Sequence, residues 1–455
     1  MLIPYLRSIF DLNDQTCHRP YMVSKYFALD FSALNYASGR ILAPSIILLA
    51  FAGFYLSGLL NHQSANDEDF YLPLIQHYSS LPLVAPILET TQVHTSIGPL
   101  YFIIHRIWSG IVGAGDIQAR LLGLGLMASS TFTWYAIGRR LALNHIFSLC
   151  LLFLVLPYHA VFSLCALAEP LMMAFLLIAV WLWLVAFDSL QKGTDSLYKW
   201  CFCLSGISLG IAENAKQPLV TVAIALTIIG LVRLKNKWSV AGPCLAIAIQ
   251  IPFWIAWGNI FPPGQRHGMM PQFAQLTGLF PDTSLYLLAV AGLSLWPAVT
   301  IRTRSMAFWA TCISGILAWT LFGPNLNIAN PDRFRFVGPL LHASYQSPVI
   351  RSAIILPFLA GWIIFWESVI HLVRNDISIP RQALMLASVL SIIGFINSPL
   401  GFDRYATCFL PLWSLAYWPN ISNRKLQSAI SLYTLSIIAI IMITRLCFYR
   451  DMLLQ

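Results

Sequence analysis

Three consecutive acids, Asp67-Glu68-Asp69, stand just beyond the first long apolar run of this 455-residue chain, in Ser64-Ala-Asn-Asp-Glu-Asp-Phe-Tyr71. A carboxylate beside a low-dielectric phase is costly unless it has a partner or a task. One such task is to orient or remove the proton of a hydroxyl. Ser64 or Asn66 capping a short helix, with acids in its first turn facing the helix dipole, accounts for one or two of them. Three in a row point to a site. A second set of residues is cationic. Lys216 sits between two apolar runs, in Gly206-Ile-Ser-Leu-Gly210-Ile-Ala-Glu213-Asn-Ala-Lys216-Gln-Pro218, where a lysine must snorkel or meet an anion. Arg404 lies in Phe402-Asp403-Arg404-Tyr405, and Arg333, Arg335 and Arg351 frame the loop before it. Each arginine alone also suits an interfacial anchor, but its guanidinium fork matches phosphate.

Between these sets lies Val93-His94-Thr-Ser-Ile-Gly98-Pro99-Leu100-Tyr101-Phe102. The Gly-Pro turn predicts the start of an amphipathic helix running to Trp108, with His105 and Arg106 on its polar side. At 98–113 the run is short for a span, and its charges suit a helix lying in the interface. His62, His77, His94 and His105 share the region with the acids, which makes a divalent metal a candidate ligand. No His-Glu-x-x-His or comparable spacing appears, and a lone histidine is more often a satisfied structural group.

The elements that position these residues follow from composition. The chain is 58% hydrophobic and 10% charged, with a mean hydropathy of +0.71. Soluble domains carry about 25% charged residues. That excludes a soluble enzyme, a disordered tail and a disulfide-stapled mini-protein, and it predicts an all-α polytopic membrane protein. Apolar runs bounded by charges, Pro or Gly predict about 13 spans at roughly 20 apolar residues per span. They cover 41–60, 118–138, 142–157, 160–187, 201–214, 218–232, 239–261, 284–300, 306–322, 351–372, 383–399, 406–419 and 427–444. Runs 201–214 and 218–232 are short and meet at Lys216-Gln217-Pro218, where proline removes a backbone donor; the pair reads as two shortened helices or one broken one. Residues 1–40 read as a cytoplasmic or interfacial leader without a cleavable signal peptide, and 41–455 as one transmembrane module.

Charge sets the expected orientation. The net charge is +9, and with the N-terminus inside, Arg139-Arg140, Arg302, Arg304, Arg374, Arg381, Arg424 and Lys425 fall in inner segments. Segment 61–97 holds no Lys or Arg and carries the acids, so 61–117 is the expected outer loop. The nine cysteines form no Cys-x-x-Cys pair and mostly lie in apolar runs, as small buried hydrophobes do. Carboxylates and phosphate-binding cations therefore gather at the outer boundary, beside lipid. That constellation suits transfer of a phosphate-linked group from a lipid carrier, with a carboxylate acting on an acceptor hydroxyl and cations on the leaving phosphate.

The ordered motifs resemble those of the GT-C membrane glycosyltransferases, in the branch of the dolichyl-phosphate-mannose–protein mannosyltransferases and aminoarabinose transferases. They are Asp67-Glu68 after a first span, Pro99-Leu100-Tyr101, Arg120-Leu121-Leu122, Gly138-Arg139-Arg140-Leu141, the Gly-rich stretch ending at Lys216, and Arg404-Tyr405 with Leu410-Pro411. The resemblance covers about two-thirds of the chain. It implies a polyprenyl-phosphate sugar donor and inverting transfer on the outer face, to a glycan, lipid or protein acceptor. Asp67 would be the base, with Glu68 or Asp69 supporting it. Lys216, Arg404 and Arg351 would bind the donor phosphate, and His94, Tyr101 and Tyr405 would belong to the acceptor and donor loops. The chain departs from the pattern where Asp69-Phe70 follow the Asp-Glu pair and where Gly98 replaces the first of two prolines. An endoplasmic-reticulum glucosyltransferase of glycan assembly shares the Asp-Glu start. A compact single-module build suggests a bacterial inner membrane. The competing readings are a lipid-linked sugar flippase or transporter, which the lack of an internal repeat disfavours, and a non-catalytic accessory protein.

Overall fold

The computed structural model describes residues 51–53, 55–56, 60–61, 68–89, 97–143, 149–150, 164–193, 196–258, 281–296, 306–323, 334–335, 355–397 and 401–421, and the single positions 153, 159, 262 and 299. The described residues are mostly helical, and strand pairing among them is a two-residue parallel contact of Phe334–Arg335 with Gly401–Phe402. The expected leader over 1–40 and the run 427–444 lie outside them, as do most of 41–60 and 142–157.

Among its described residues the first loop holds three helices. α1 (Glu68–Ser79) begins with two acids in its first turn, and α2 (Ala85–Leu88) is a single turn. α3 (Pro99–Val112) starts with proline at its first position, where the missing N–H costs nothing. It ends at Gly113, whose φ of 97° favours glycine. It covers the run expected to be helical over 98–113. The loop is tied internally by Arg106 Nε donating to Leu81 O (2.8 Å), and it is braced to α4 (Asp116–Arg140) by Gln76 Nε2 donating to Asp116 (2.8 Å) and Trp108 Nε1 to Gln118 O (2.7 Å).

Among the described residues, five helices are long and apolar enough to cross a membrane: α4 (Asp116–Arg140), α5 (Ala168–Gln191), α7 (Gln217–Leu234), α8 (Lys237–Trp257) and α11 (Ile355–Arg374). They match the runs at 118–138, 160–187, 218–232, 239–261 and 351–372. α5 starts later than expected, because Pro170 fits only its first turn. α6 (Leu197–Ala215) reaches 19 residues, longer than its apolar run, by taking in Tyr198, Lys199 and Trp200. The chain leaves it at Lys216 in an extended conformation (φ −147°, ψ 98°) before Pro218. The short pair is therefore two helices and not one broken helix. α9 (Pro281–Leu295), α10 (Met306–Phe322), α12 (Ile379–Gly394) and α13 (Leu410–Ile421) are apolar helices of 15, 17, 16 and 12 residues.

Close helix contacts rest on small residues, as in other membrane bundles. α6 and α8 run parallel, with Gly206 against Gly242 and Gly210 against Ala246. A Cβ on Gly206 would overlap the Gly242 carbonyl. Gly292 of α9 and Gly361 of α11 meet in the same way. Polar side chains add cross-helix bonds: Trp413 Nε1 donates to Ser368 Oγ (2.9 Å), Ser368 Oγ to Tyr417 (3.0 Å) and Arg381 Nε to Ala416 O (2.8 Å). The core holds Trp134, Trp183, Trp413 and Tyr417. Ile224, Ile228, Leu231 and Val232 of α7, with Trp309, Ile313 and Leu317 of α10, leave apolar faces open, which suits contact with lipid.

Candidate functional site

The first loop grips the bundle through Glu68. Its side chain is fully buried, and Arg120 meets it with two nitrogens, Nε to Oε1 at 3.1 Å and Nη2 to Oε2 at 3.2 Å. Arg120 also donates from Nη1 to Leu60 O (2.9 Å), and Oε1 of Glu68 accepts from Ala166 N (2.6 Å). A fork-to-carboxylate pair with its remaining bonds satisfied is the arrangement in which buried charge is tolerated. Glu68 is thus a clamp that fixes the start of α1. Asp69 is exposed on the first turn of the same helix.

Three residues after Ala166 comes Glu169, buried in the first turn of α5. It forms an ion pair with Lys216 (Nζ to Oε1, 2.8 Å). Lys216 Nζ also lies 5.9 Å from the centre of the Tyr405 ring, which stacks on Phe395. Lys216 remains partly open, at 15% exposure. Tyr101 of α3 is fully buried and donates from its hydroxyl to Ala166 O (2.9 Å). Burial, with Tyr71 and the Glu169 and Glu68 charges nearby, holds its phenol well above the ordinary tyrosine range. The segment Ala166–Glu169 is therefore held at one end by Glu68 and Tyr101 and at the other by Lys216.

Beside Lys216, Asn214 joins α6 to α3. Its backbone oxygen accepts from Gly98 N (2.8 Å) and its Oδ1 from Leu100 N (2.9 Å). Its Nδ2 donates to Gln250 of α8 (3.2 Å), and Gln250 Nε2 to Gly210 O (2.6 Å). One residue earlier, Glu213 is 1% exposed, and neither carboxylate oxygen has a hydrogen-bond partner among the described residues. It lies one helical turn deeper in the bundle than Lys216.

His105 is buried against Tyr101, with ring centres 4.5 Å apart and Nδ1 without a hydrogen-bond partner among the described residues; burial lowers its imidazole to about 3. His77 meets Glu89 at 3.4 Å. Burial, then the Glu89 charge, pushes the neighbouring Tyr78 hydroxyl up to about 12. Among the described residues no group of three His, Cys, Asp or Glu side chains could hold a metal ion. His62 and His94 lie outside those residues.

Of the expected site residues, Glu68, Asp69, Tyr101, Lys216 and Tyr405 stand at one end of the bundle. Asp67, His94 and Arg351 lie outside the described residues, and Arg404 falls in a helical turn (Asp403–Cys408) whose first side chains are not described. The partners that organise this end, Arg120, Glu169 and Asn214, were not expected to act there. Arg120 and Glu169 carried a signal nonetheless, since each is a charge within an apolar run (118–138 and 160–187) and needs an opposite charge. No family model, curated protein or solved structure matches the chain.

Proposed function

We propose that the chain is a GT-C-like membrane glycosyltransferase that moves a sugar from a polyprenyl-phosphate donor to a glycan, lipid or protein acceptor on the outer face of a bacterial inner membrane. One observation carries the reading. The four-residue segment Ala166–Glu169 is bonded at its first residue to Glu68 and at its last to Lys216, so the acid motif and the lysine share one support. In the proposed reaction Asp67 takes the proton from an acceptor hydroxyl. The acceptor oxygen attacks the anomeric carbon from the face opposite the phosphate, giving inversion. The carbon–oxygen bond to phosphate breaks, and its electron pair leaves with the phosphate. Lys216, Arg404 and Arg351 stabilise that developing charge. Glu68 anchors the first turn of α1, the helix that follows Asp67 in sequence, and Tyr405 shields Lys216 from water, which strengthens its pull on an anion.

The test uses purified chain in detergent and a panel of radiolabelled polyprenyl-phosphate sugars. Wild type is expected to bind and turn over at least one donor. Asp67→Asn is expected to bind that donor and to lose turnover by 10²-fold or more, the scale of a general base. Undiminished turnover in that variant would remove Asp67 as the base. Failure of wild type to bind every donor would remove the glycosyltransferase reading.

A further inference from the structure

The N-terminus of α3 lacks the cap that helices normally draw from their own chain. Gly98, at the cap position, has an extended backbone (φ −80°, ψ 167°) and no side chain to offer. Pro99 has no N–H, so the first donor needing a partner is Leu100 N. In an ordinary N-cap, a side-chain oxygen of the cap residue accepts from the second or third helical N–H. Here that oxygen is Oδ1 of Asn214, 114 residues away on α6. Glycine at 98 is required, because a Cβ there would overlap the Asn214 side chain. The asparagine is itself fixed: it is fully buried, and its Nδ2 is held by Gln250, which is tied in turn to Gly210 O.

We infer that Asn214 caps α3 in trans and is a positioning residue of the site proposed above, an inference that rests on that reading. Asn214 lies two residues before Lys216. The cap therefore sets the start of α3, with Tyr101, at a fixed place relative to the lysine and its Glu169 partner. The α6–α8 bond through Gln250 makes the setting stiff. Asn214 touches neither donor nor acceptor in this account. It acts through the loop it holds.

Three variants of the full chain test this: Asn214→Ala, which removes the cap; Gly98→Ala, which pushes the amide off Leu100; and Asn214→Asp, which keeps the accepting oxygen. Amide hydrogen exchange of the 98–105 segment reads the cap without reference to catalysis. Losing a cap is worth about 1 kcal/mol, so Asn214→Ala and Gly98→Ala are expected to speed exchange there about 5-fold, and the double variant no more than either alone. Asn214→Asp is expected to keep the protection. With the donor that wild type uses, kcat is expected to fall on the order of 10-fold to 100-fold in Asn214→Ala and to recover in Asn214→Asp, while polyprenyl phosphate binds with unchanged affinity. Unchanged exchange in both alanine variants overturns the cap. Faster exchange with kcat intact, or kcat and phosphate affinity falling together as the whole chain loosens, overturns the positioning role. If wild type turns over no donor, the proposed function fails on that arm, and the positioning role falls with it, while exchange still upholds or overturns the cap.

Discussion

Helices α4 and α5 carry an ion pair at each end, and the two ends treat charge in opposite ways. At their C-terminal ends Arg140 meets Asp188 at 2.7 Å with both side chains open to solvent, 28% and 38% exposed. At their N-terminal ends Arg120 meets Glu68 at 2% and 0% exposure, and Glu169 meets Lys216. The first kind of pair forms cheaply and contributes little. The second kind takes two charges out of water, and hydrophobic residues of the same volume would often serve stability as well. A fold that keeps two such pairs at one end, tied together through Ala166–Glu169, keeps them for what they hold in place.

The contrast can be broken most easily at Arg120. Arg120→Leu leaves Glu68 buried and uncompensated, and thermal unfolding in detergent should show a loss of about 3–5 kcal/mol. Adding Glu68→Gln should recover part of that loss, because the orphaned charge is gone. A cost for Arg120→Leu no larger than for Arg140→Leu would erase the distinction between the ends.

The next effect is acid sensitivity. The His105 imidazole is held at about 3 by burial, below its unfolded value near 6.5. Below pH 6.5 the unfolded chain therefore binds a proton that the folded chain refuses, so stability present above that pH is lost as pH falls toward 3. Linkage puts the loss at about 3 kcal/mol by pH 4. His105→Phe should flatten this acid limb, whereas His371→Phe at the opposite end should leave it in place. A limb that is the same in both variants would show that burial of His105 does not set it.

Lys216→Met should cost about 1–3 kcal/mol, less than Arg120→Leu, since the lysine is itself partly open, at 15% exposure, and meets its carboxylate with one nitrogen where Arg120 uses two. Smallest of all, Arg140→Ala should change stability by about 0–1 kcal/mol, and the effect should fade as salt is raised. A salt-insensitive loss at Arg140 would mean that this pair is not simply a surface one.

Much of this architecture is readable from composition. α4, α8, α10 and α11 lie within a few residues of their apolar runs, because length and hydropathy are local properties. The turn at Lys216 is legible from Pro218, and the start of α3 from Gly98-Pro99. The site was legible only as an inventory. Asp67-Glu68-Asp69 and Lys216 stand out as charges beside apolar runs, but nothing local says that Glu68 answers Arg120, 52 residues on, or that Lys216 answers Glu169. Pairing between helices depends on which faces meet, and on the two-glycine contact of Gly206 with Gly242 that brings α6 against α8. Asn214 was hidden for a further reason: a cap supplied by another helix has no sequence signature at the helix it caps.

The most direct measurement is equilibrium binding of sugar-free polyprenyl phosphate to wild type, Lys216→Met and Arg140→Met, each first shown to unfold cooperatively. The account predicts that Lys216→Met loses most of the affinity and that Arg140→Met keeps it. Equal affinity in all three, or no binding by wild type, would contradict the claim that the buried charges at the Lys216 end serve a lipid phosphate.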